Sequence, residues 1–278
     1  MSAPFRLART LIRVSGPDAT GFLGNLLTQS VERLDEVGVA YGALLTPQGK
    51  LVTDMLLWTG GDGIIIDVDR SRSADLLQRL SMYRLRAQVA LEEVTGQFDV
   101  LWSANPFRGG QADPRFPDGA LGWREICPLP AKWNGFENGA APFDVHRIAL
   151  GVPDLARDAA PEEVFALEAL LEELHGVDLQ KGCFVGQENV SRMKRRATTR
   201  KKFCPIVFEG APPAYGSKIL AAEAELGTVR SGIEGRAIAL LRLDRALAAT
   251  DGGVALTAEG KQVGLDPPPW LILPARDA

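Results

Sequence analysis

The chain has 278 residues, a formal net charge of -4, 46% hydrophobic residues and 24% charged residues. That is the balance of a globular protein with a sizeable core, in one large domain or two to three small ones. It argues against a protein that coats a polyanion. Three widely spaced cysteines, Cys127, Cys183 and Cys204, with no C-x-x-C pair, argue against a disulfide scaffold, a zinc site or a dithiol redox site. The sequence has no apolar run of the roughly 18 residues that a membrane helix needs. The N-terminus MSAPFRLARTLIRV has neither the apolar core of a secretory signal nor a transit-peptide pattern, so the expected compartment is the cytoplasm.

Residues 9–16, RTLIRVSG, predict a strand. In residues 17–34, Phe22, Leu23, Leu26, Leu27 and Val31 recur at helical spacing behind Pro17 and Asp18, which predicts a helix. VAYGALL (39–45), KLVTDMLLW (50–58) and GIIIDVD (63–69) predict three strands. The short turns TPQG and TGGDG between them favour antiparallel neighbours. Residues 71–83 predict a second helix capped by Ser71 or Ser73, and 86–94 a further strand. Strand, helix, three strands, helix, strand is α+β logic, without the fingerprint of a dinucleotide or P-loop fold.

Residues 104–143 are rich in Gly and Pro and predict long loops with one strand at 121–129. Residues 160–178 carry the clearest helical signal. Pro161, Glu162 and Glu163 open it, Val164, Leu167, Leu171 and Leu174 form an apolar stripe, and Gly176 closes it. Glu168 falls at the edge of that stripe, as a solvated acid or a site acid. From residue 203, short runs punctuated by Gly and Pro predict a small β-barrel or sandwich. A boundary near 200 divides the chain into residues 1–199 and 200–278.

The chemistry concentrates in KGCFVGQE, residues 181–188. Cys183 stands between Gly182 and Gly186, which permit unusual backbone shapes or close approach of a ligand. Lys181 and the cations Arg192, Lys194, Arg195, Arg196, Arg200, Lys201 and Lys202 would favour its thiolate if they lie near it in space. The alternative is a buried, inert cysteine. His175 and His146 are conceivable bases, without a local protease signature to support either. The basic run is also long enough to hold phosphates or a polycarboxylate, although its single neighbouring aromatic, Phe203, is a poor stacking platform for a single strand. Strict alternation puts Asp54 on one face of its strand with Val52 and Leu56, an acid among apolar residues.

KGCFVGQE resembles the signature of the YgfZ-type folate-binding family, K-G-C-Y/F-x-G-Q-E. VSGPDATGFLGNLLTQSV, YGALLTPQGKLVTDMLL, DPRFPDGALGWR and HRIALGVPD resemble further elements of that family, in its order, across residues 10–205. The resemblance implies a relation to the T-protein of the glycine cleavage system, a tetrahydrofolate-dependent aminomethyltransferase. With it come a three-lobed α+β fold, antiparallel sheets with packed helices, and a C-terminal β-barrel. It implies a folate-binding accessory factor for the assembly or repair of iron–sulfur clusters in client proteins, with effects on tRNA modification in bacterial relatives. Lys181, Gly182, Cys183, Gly186, Gln187 and Glu188 match the signature. Asp54 matches the acid near the folate's reacting nitrogens, Glu168 the acid that holds the pterin, and Arg200 an arginine for the folate tail. No metal site is implied. Two departures stand out. Ala197 occupies a position where the family often has glycine, which would alter the local backbone if that glycine needs positive φ. Thr53 replaces the first of the T-protein's paired acids, against aminomethyl transfer. The competing expectations are a one-carbon transferase, an RNA- or tRNA-binding module and, last, a cysteine hydrolase.

Overall fold

Short turns between apolar runs make neighbouring strands pair with each other, and the N-terminal half follows that rule. A computed structural model describes residues 4–32, 34–129, 137–197 and 199–274. β1 (Phe5–Leu7) and β2 (Arg9–Ser15) lead into α1 (Ala19–Leu26) and a short α2 (Leu34–Val37). β3 (Val39–Leu45), β4 (Leu51–Gly60) and β5 (Gly63–Asp69) then run back and forth. α3 (Ser73–Arg84) crosses over and β6 (Ala90–Glu93) returns. These strands form an antiparallel sheet of order β3-β4-β5-β2-β6. α1 ends well before residue 34, because Leu27 turns extended and pairs with Leu44, and Thr28 N–H donates to Ala43 O at 3.0 Å.

One sheet face buries Ile12, Val14, Leu57 and Ile66 against Leu23 of α1 and Leu76 and Leu80 of α3. The other turns Leu11, Tyr41, Leu56 and Trp58 towards the rest of the molecule. Register shifts beside Leu44, so that Leu44 faces Thr53 and Leu45 faces Leu51, which leaves Val52 as the extra residue of a bulge. Val52 therefore packs on the α1 side while Leu56 packs opposite, and strict alternation fails there.

β7 (Phe98–Ser103), β8 (Gln111–Ala112) and β9 (Trp123–Pro128) join β1 in a second sheet, β1-β7-β9-β8. β7 lacks polar alternation because nearly all of it is buried. α4 (Ala140–Leu150), whose first residues lie in the stretch expected to be loop, and a short α5 (Leu155–Asp158) follow.

The segment expected to be the clearest helix is not one. Residues 161–175 form successive turns, interrupted by positive φ at Glu162 (61°), Leu170 (62°) and His175 (56°). The reason is tertiary. Leu51 N–H donates to Val164 O (2.8 Å) and Glu162 N–H to Leu51 O (2.7 Å), so the backbone pairs with the start of β4. Val164, Ala166, Leu167, Ala169, Leu170, Leu171 and Leu174 are all buried, a wider set than the four-residue stripe. Burial and cross-pairing outweigh helix propensity of at most about 0.7 kcal/mol per ordinary residue.

α6 (Gln187–Arg196) precedes a closed barrel of β10 (Lys201–Val207), β11 (Lys218–Ala221), β12 (Ala224–Ile233), β13 (Arg236–Arg242), β14 (Leu256–Ala258) and β15 (Lys261–Leu265). α7 (Leu243–Asp251) lies between β13 and β14 in sequence. The order is β10-β13-β12-β11-β14-β15, closed by Ile206 opposite Leu265. After the barrel, Trp270 Nε1–H donates to Leu150 O (3.2 Å) and its ring meets Phe116 edge-on, tying the chain end to the N-terminal part. Among the described residues no helix is long and apolar enough to cross a membrane.

Leu170 separates helix from turns at 161–175 by its backbone, φ 62°. Fully buried at 0% exposure, its replacement by Ala is expected to cost about 2–5 kcal/mol in urea unfolding. Leu170→Gly should be no less stable than Leu170→Ala, whereas in a helix glycine would be about 1 kcal/mol the worse of the two.

Candidate functional site

The thiol loop is pinned at both ends. Lys181 Nζ donates to the carbonyls of Gly24 (2.7 Å), Leu27 (2.8 Å) and Gln29 (2.9 Å), the orphan acceptors at and beyond the end of α1. Burial lowers its pKa. Asp178 Oδ1 accepts from the backbone N–H of Gln180 (2.8 Å) and Lys181 (3.1 Å). After the thiol, Phe184 is buried and Gly186 starts α6 in the left-handed region, at φ 84°. A Cβ on Gly186 would fall 2.7 Å from Thr46 O, and one on Gly49 would fall 2.9 Å from Asn189 Cβ. Asn189 Nδ2–H donates to Gln48 O at 2.7 Å. The 46–49 turn thus clamps the first turn of α6, and Cys183 stands exposed between the two anchors.

The remaining signature residues divide by role. Gly182 is exposed, and a Cβ there would meet nothing within 4 Å. Glu188 is exposed in the first turn of α6, where a carboxylate suits the helix dipole, and Gln187 opens that helix half-buried. Lys181, expected to favour the thiolate, instead spends its ammonium on α1. The basic run also separates: Lys194 pairs with Glu172, and buried Lys202 pairs with Glu173 and donates to Ile272 O (2.9 Å). Arg200 stands just before β10, its carbonyl accepting from Leu243 N–H at 2.9 Å. His146 lies 2.7 Å from Ala120 O and beside the Trp102 ring, and His175 lines a groove with Tyr41 and Gln111.

Asp54 lies in a buried charged centre. Tyr41 O–H donates to its Oδ2 at 3.0 Å. It shares a cavity with Arg115, Arg124, Arg147 and Asp154. Burial raises its pKa, Asp154 adds to that, and Arg9, Arg115 and the Tyr41 hydroxyl pull it back. Arg115 and Arg124 both reach Asp113, at 2.7 and 3.1 Å, which keeps that acid low although burial opposes it. Burial lowers Arg124 to about 10. These arginines come from the elements DPR, LGWR and HRIALGVPD, so the signal for the centre was a lone arginine in each.

Glu168 is elsewhere. Its Oε2 accepts from Phe165 N–H at 2.9 Å, burial raises its pKa, and Lys201 and Lys50 oppose that rise. Lys50 Nζ lies over the Phe165 ring, 5.4 Å from its centroid. The strongest charged neighbours differ: Asp154 and Arg9 for Asp54, Lys201 and Lys50 for Glu168. The Asp54 cavity measures about 30 Å³, room for one or two waters and not for a pterin. The Glu168 corner, with a half-buried carboxylate, an aromatic ring and two lysines, has the chemistry that a pterin and an anionic tail need.

Residues 200–272 match the family described as CAF17, C-terminal beta-barrel domain. The iron–sulfur cluster assembly factor IBA57, mitochondrial, of Homo sapiens is 30% identical over 303 residues, covering 95% of this chain and 83% of the relative. The chain belongs to the IBA57 family. A Neurospora crassa IBA57 homolog, also named mitochondrial, is 28% identical over 238 residues, 74% of this chain and 54% of the relative. The chain spans about half the length of such fungal members. These names overturn the cytoplasmic expectation: the IBA57 relatives are mitochondrial proteins. Glycine cleavage system aminomethyltransferase T from Bartonella henselae shares the fold, with a TM-score of 0.73 over 96% of this chain and 86% of that one, at 14% identity. The α+β, T-protein-like fold with a C-terminal barrel is therefore the one observed.

In this IBA57-family chain the Ala197 departure does not change the backbone: Ala197 caps α6 at φ 47°, the left-handed conformation that glycine prefers. Ala197→Gly is accordingly expected to raise stability by about 0.5–1 kcal/mol in urea unfolding. Asp54 yields a pH test. Its folded pKa lies above the ordinary carboxyl value, so the folded state holds that proton longer and the ionised form is disfavoured. Its contribution to stability therefore falls as pH rises from about 4 through the raised value. Asp54→Asn keeps an acceptor for Tyr41, and its stability relative to wild type should climb across that window. A flat difference between pH 4 and 7 would contradict the assignment.

Proposed function

We propose that this protein is an accessory factor in the assembly or repair of iron–sulfur clusters in other proteins, acting through Cys183. Its IBA57 relatives carry that assembly role in their names. What supports it most directly is one exposed thiol on a loop anchored on both sides, by Lys181 and by the Gly186–Gly49 contact. A thiolate is a soft ligand for iron and a nucleophile towards sulfur. Iron–sulfur clusters commonly use about four thiolates, and among the described residues no group of three or more His, Cys, Asp and Glu could hold a metal. Cys183 would thus act with ligands supplied by a client or assembly protein. Within the family, the K-G-C-F-x-G-Q-E signature supports the YgfZ-type folate-binding branch.

Tetrahydrofolate is the proposed ligand, with Glu168 accepting from the pterin's amino group and ring N–H, and Lys50, Lys201 and Arg200 facing the tail carboxylates. Bound tetrahydrofolate supplies nitrogen nucleophiles for one-carbon groups, and the thiol role requires none of that chemistry. In this proposal residues 1–199 carry the ligand and the thiol, and 200–278 form the barrel unit that packs against them. Aminomethyl transfer at Asp54 is disfavoured by the small cavity. An RNA surface is disfavoured because Lys194 and Lys202 are already paired with acids.

Cys183→Ala should fold with wild-type stability and bind tetrahydrofolate as wild type does, yet fail to mature a four-iron client enzyme in a reconstituted assay. Full client activity with that variant would remove the thiol from the mechanism. In anaerobic calorimetry, Glu168→Ala should weaken tetrahydrofolate binding about tenfold or more. No saturable binding to folded wild-type protein would leave the thiol role without folate.

A further inference from the structure

A second cleft, of about 330 Å³, opens where the β4–β5 turn of the first sheet meets β9 of the second. Arg13, Trp58, Asp62, Phe98 and Glu125 line it, and it shares none of these residues with the Asp54 cavity. Trp58 is only 6% exposed, and among the described residues no acceptor reaches its Nε1–H. The contrast within the chain is informative: Trp102 Nε1–H donates to Leu121 O (3.0 Å) and Trp270 Nε1–H to Leu150 O (3.2 Å). A buried indole N–H normally has a partner, and leaving one without costs about 1–3 kcal/mol.

The rim is charged. Arg13 contacts its neighbours only loosely, with Nη1 3.4 Å from Glu92 Oε2 and Nη2 3.3 Å from Gln97 Oε1. Glu125, opposite on β9, is held against the 104–110 loop, where a Cβ on Gly109 (φ 93°) would fall 2.6 Å from its Cδ. The carboxylate packs directly over that glycine.

We propose that this cleft binds a small zwitterion of the amino-acid class. Its carboxylate accepts from Trp58 Nε1–H and faces Arg13, and its ammonium faces Glu125 and Asp62. The choice follows from the lining. A donor-only indole and a guanidinium call for an anionic acceptor. Two carboxylates call for a cation and repel a dicarboxylate. A diamine would leave the indole without an acceptor. The volume sits at the small end of ligand sites, which suits an amino acid and not a nucleotide. The Phe98 ring provides an apolar wall for the side chain.

The test is an indole N–H spectrum of the full ¹⁵N-labelled chain, titrated with each free α-amino acid, and with acetate and methylamine as half-ligand probes. The Trp58 resonance is assigned with Trp58→Phe or, if that variant does not fold, from its cross-peaks to Ile65. At least one amino acid should move it downfield with saturation in the millimolar range or tighter. Glu125→Gln and Arg13→Gln should each weaken that titration about tenfold. Absence of any saturable shift in folded protein overturns the site. Saturation by acetate as tight as by the best amino acid overturns the zwitterion and leaves an anion site.

Discussion

Gly49 and Gly186 approach each other so closely that neither position tolerates a side chain, and the placement of the thiol rests on that contact. Gly186 must also be left-handed, so that α6 can begin hard against the 46–49 turn. Residues just beyond that turn pair with 162–166, and Lys181 reaches past the end of α1. The turn, the irregular segment and the thiol loop are therefore one packed unit attached to the first sheet. Cys183 is exposed, yet its loop is fixed on both sides.

The centre of the molecule follows a different constraint. Arg115, Arg124 and Arg147, each from a separate element, bring their charge inside among Asp54, Asp113, Asp154 and Asp158. Burying charge is costly, and the arrangement is tolerable because nearly every group meets an opposite one. The network crosses the fold. Arg147 Nη2–H donates to Ser231 Oγ of β12 (2.9 Å), and Ser231 N–H donates to Asp158 Oδ1 (2.9 Å), which stitches the barrel to α4 and α5. Such contacts fix one relative orientation more than they add stability. They also fill the volume beside Asp54.

Much of this was legible in the sequence where local chemistry and tertiary structure agree. TPQG and TGGDG announced the β3–β4–β5 meander, and the punctuated runs after 203 announced a barrel. The failures occur where they disagree. Residues 161–175 have helical periodicity, but pairing to β4 and burial of more than the one stripe impose turns. α6 has almost no apolar periodicity, with Val190 its only buried residue, so no stripe marked it. Lys181 stood two residues from the thiol in sequence, yet three carbonyls at the end of α1 take its ammonium. Asp54, Glu168 and Arg200 were associated by resemblance, and no local signal could show that Asp54 is enclosed by arginines. Trp58 was unremarkable in a strand, since an indole without a partner shows only in three dimensions.

The fold is shared with a protein named as an aminomethyltransferase, and the difference in proposed chemistry lies in where this chain leaves room. Transfer on a folate would need space beside the acid that the resemblance matches to Asp54, and Asp54 shares about 30 Å³ with arginines. The side chain proposed to act, Cys183, is at the surface instead. Packing does not require a cysteine at 183: the side chain is exposed, and the anchoring is done by Lys181, Phe184 and Gly186. An exposed thiol is also the form most open to oxidation, a liability without structural return. A surface thiol on a fixed loop is suited to meet atoms that another protein brings, which is what a cluster assembly factor must do and what an enclosed transferase site does not need.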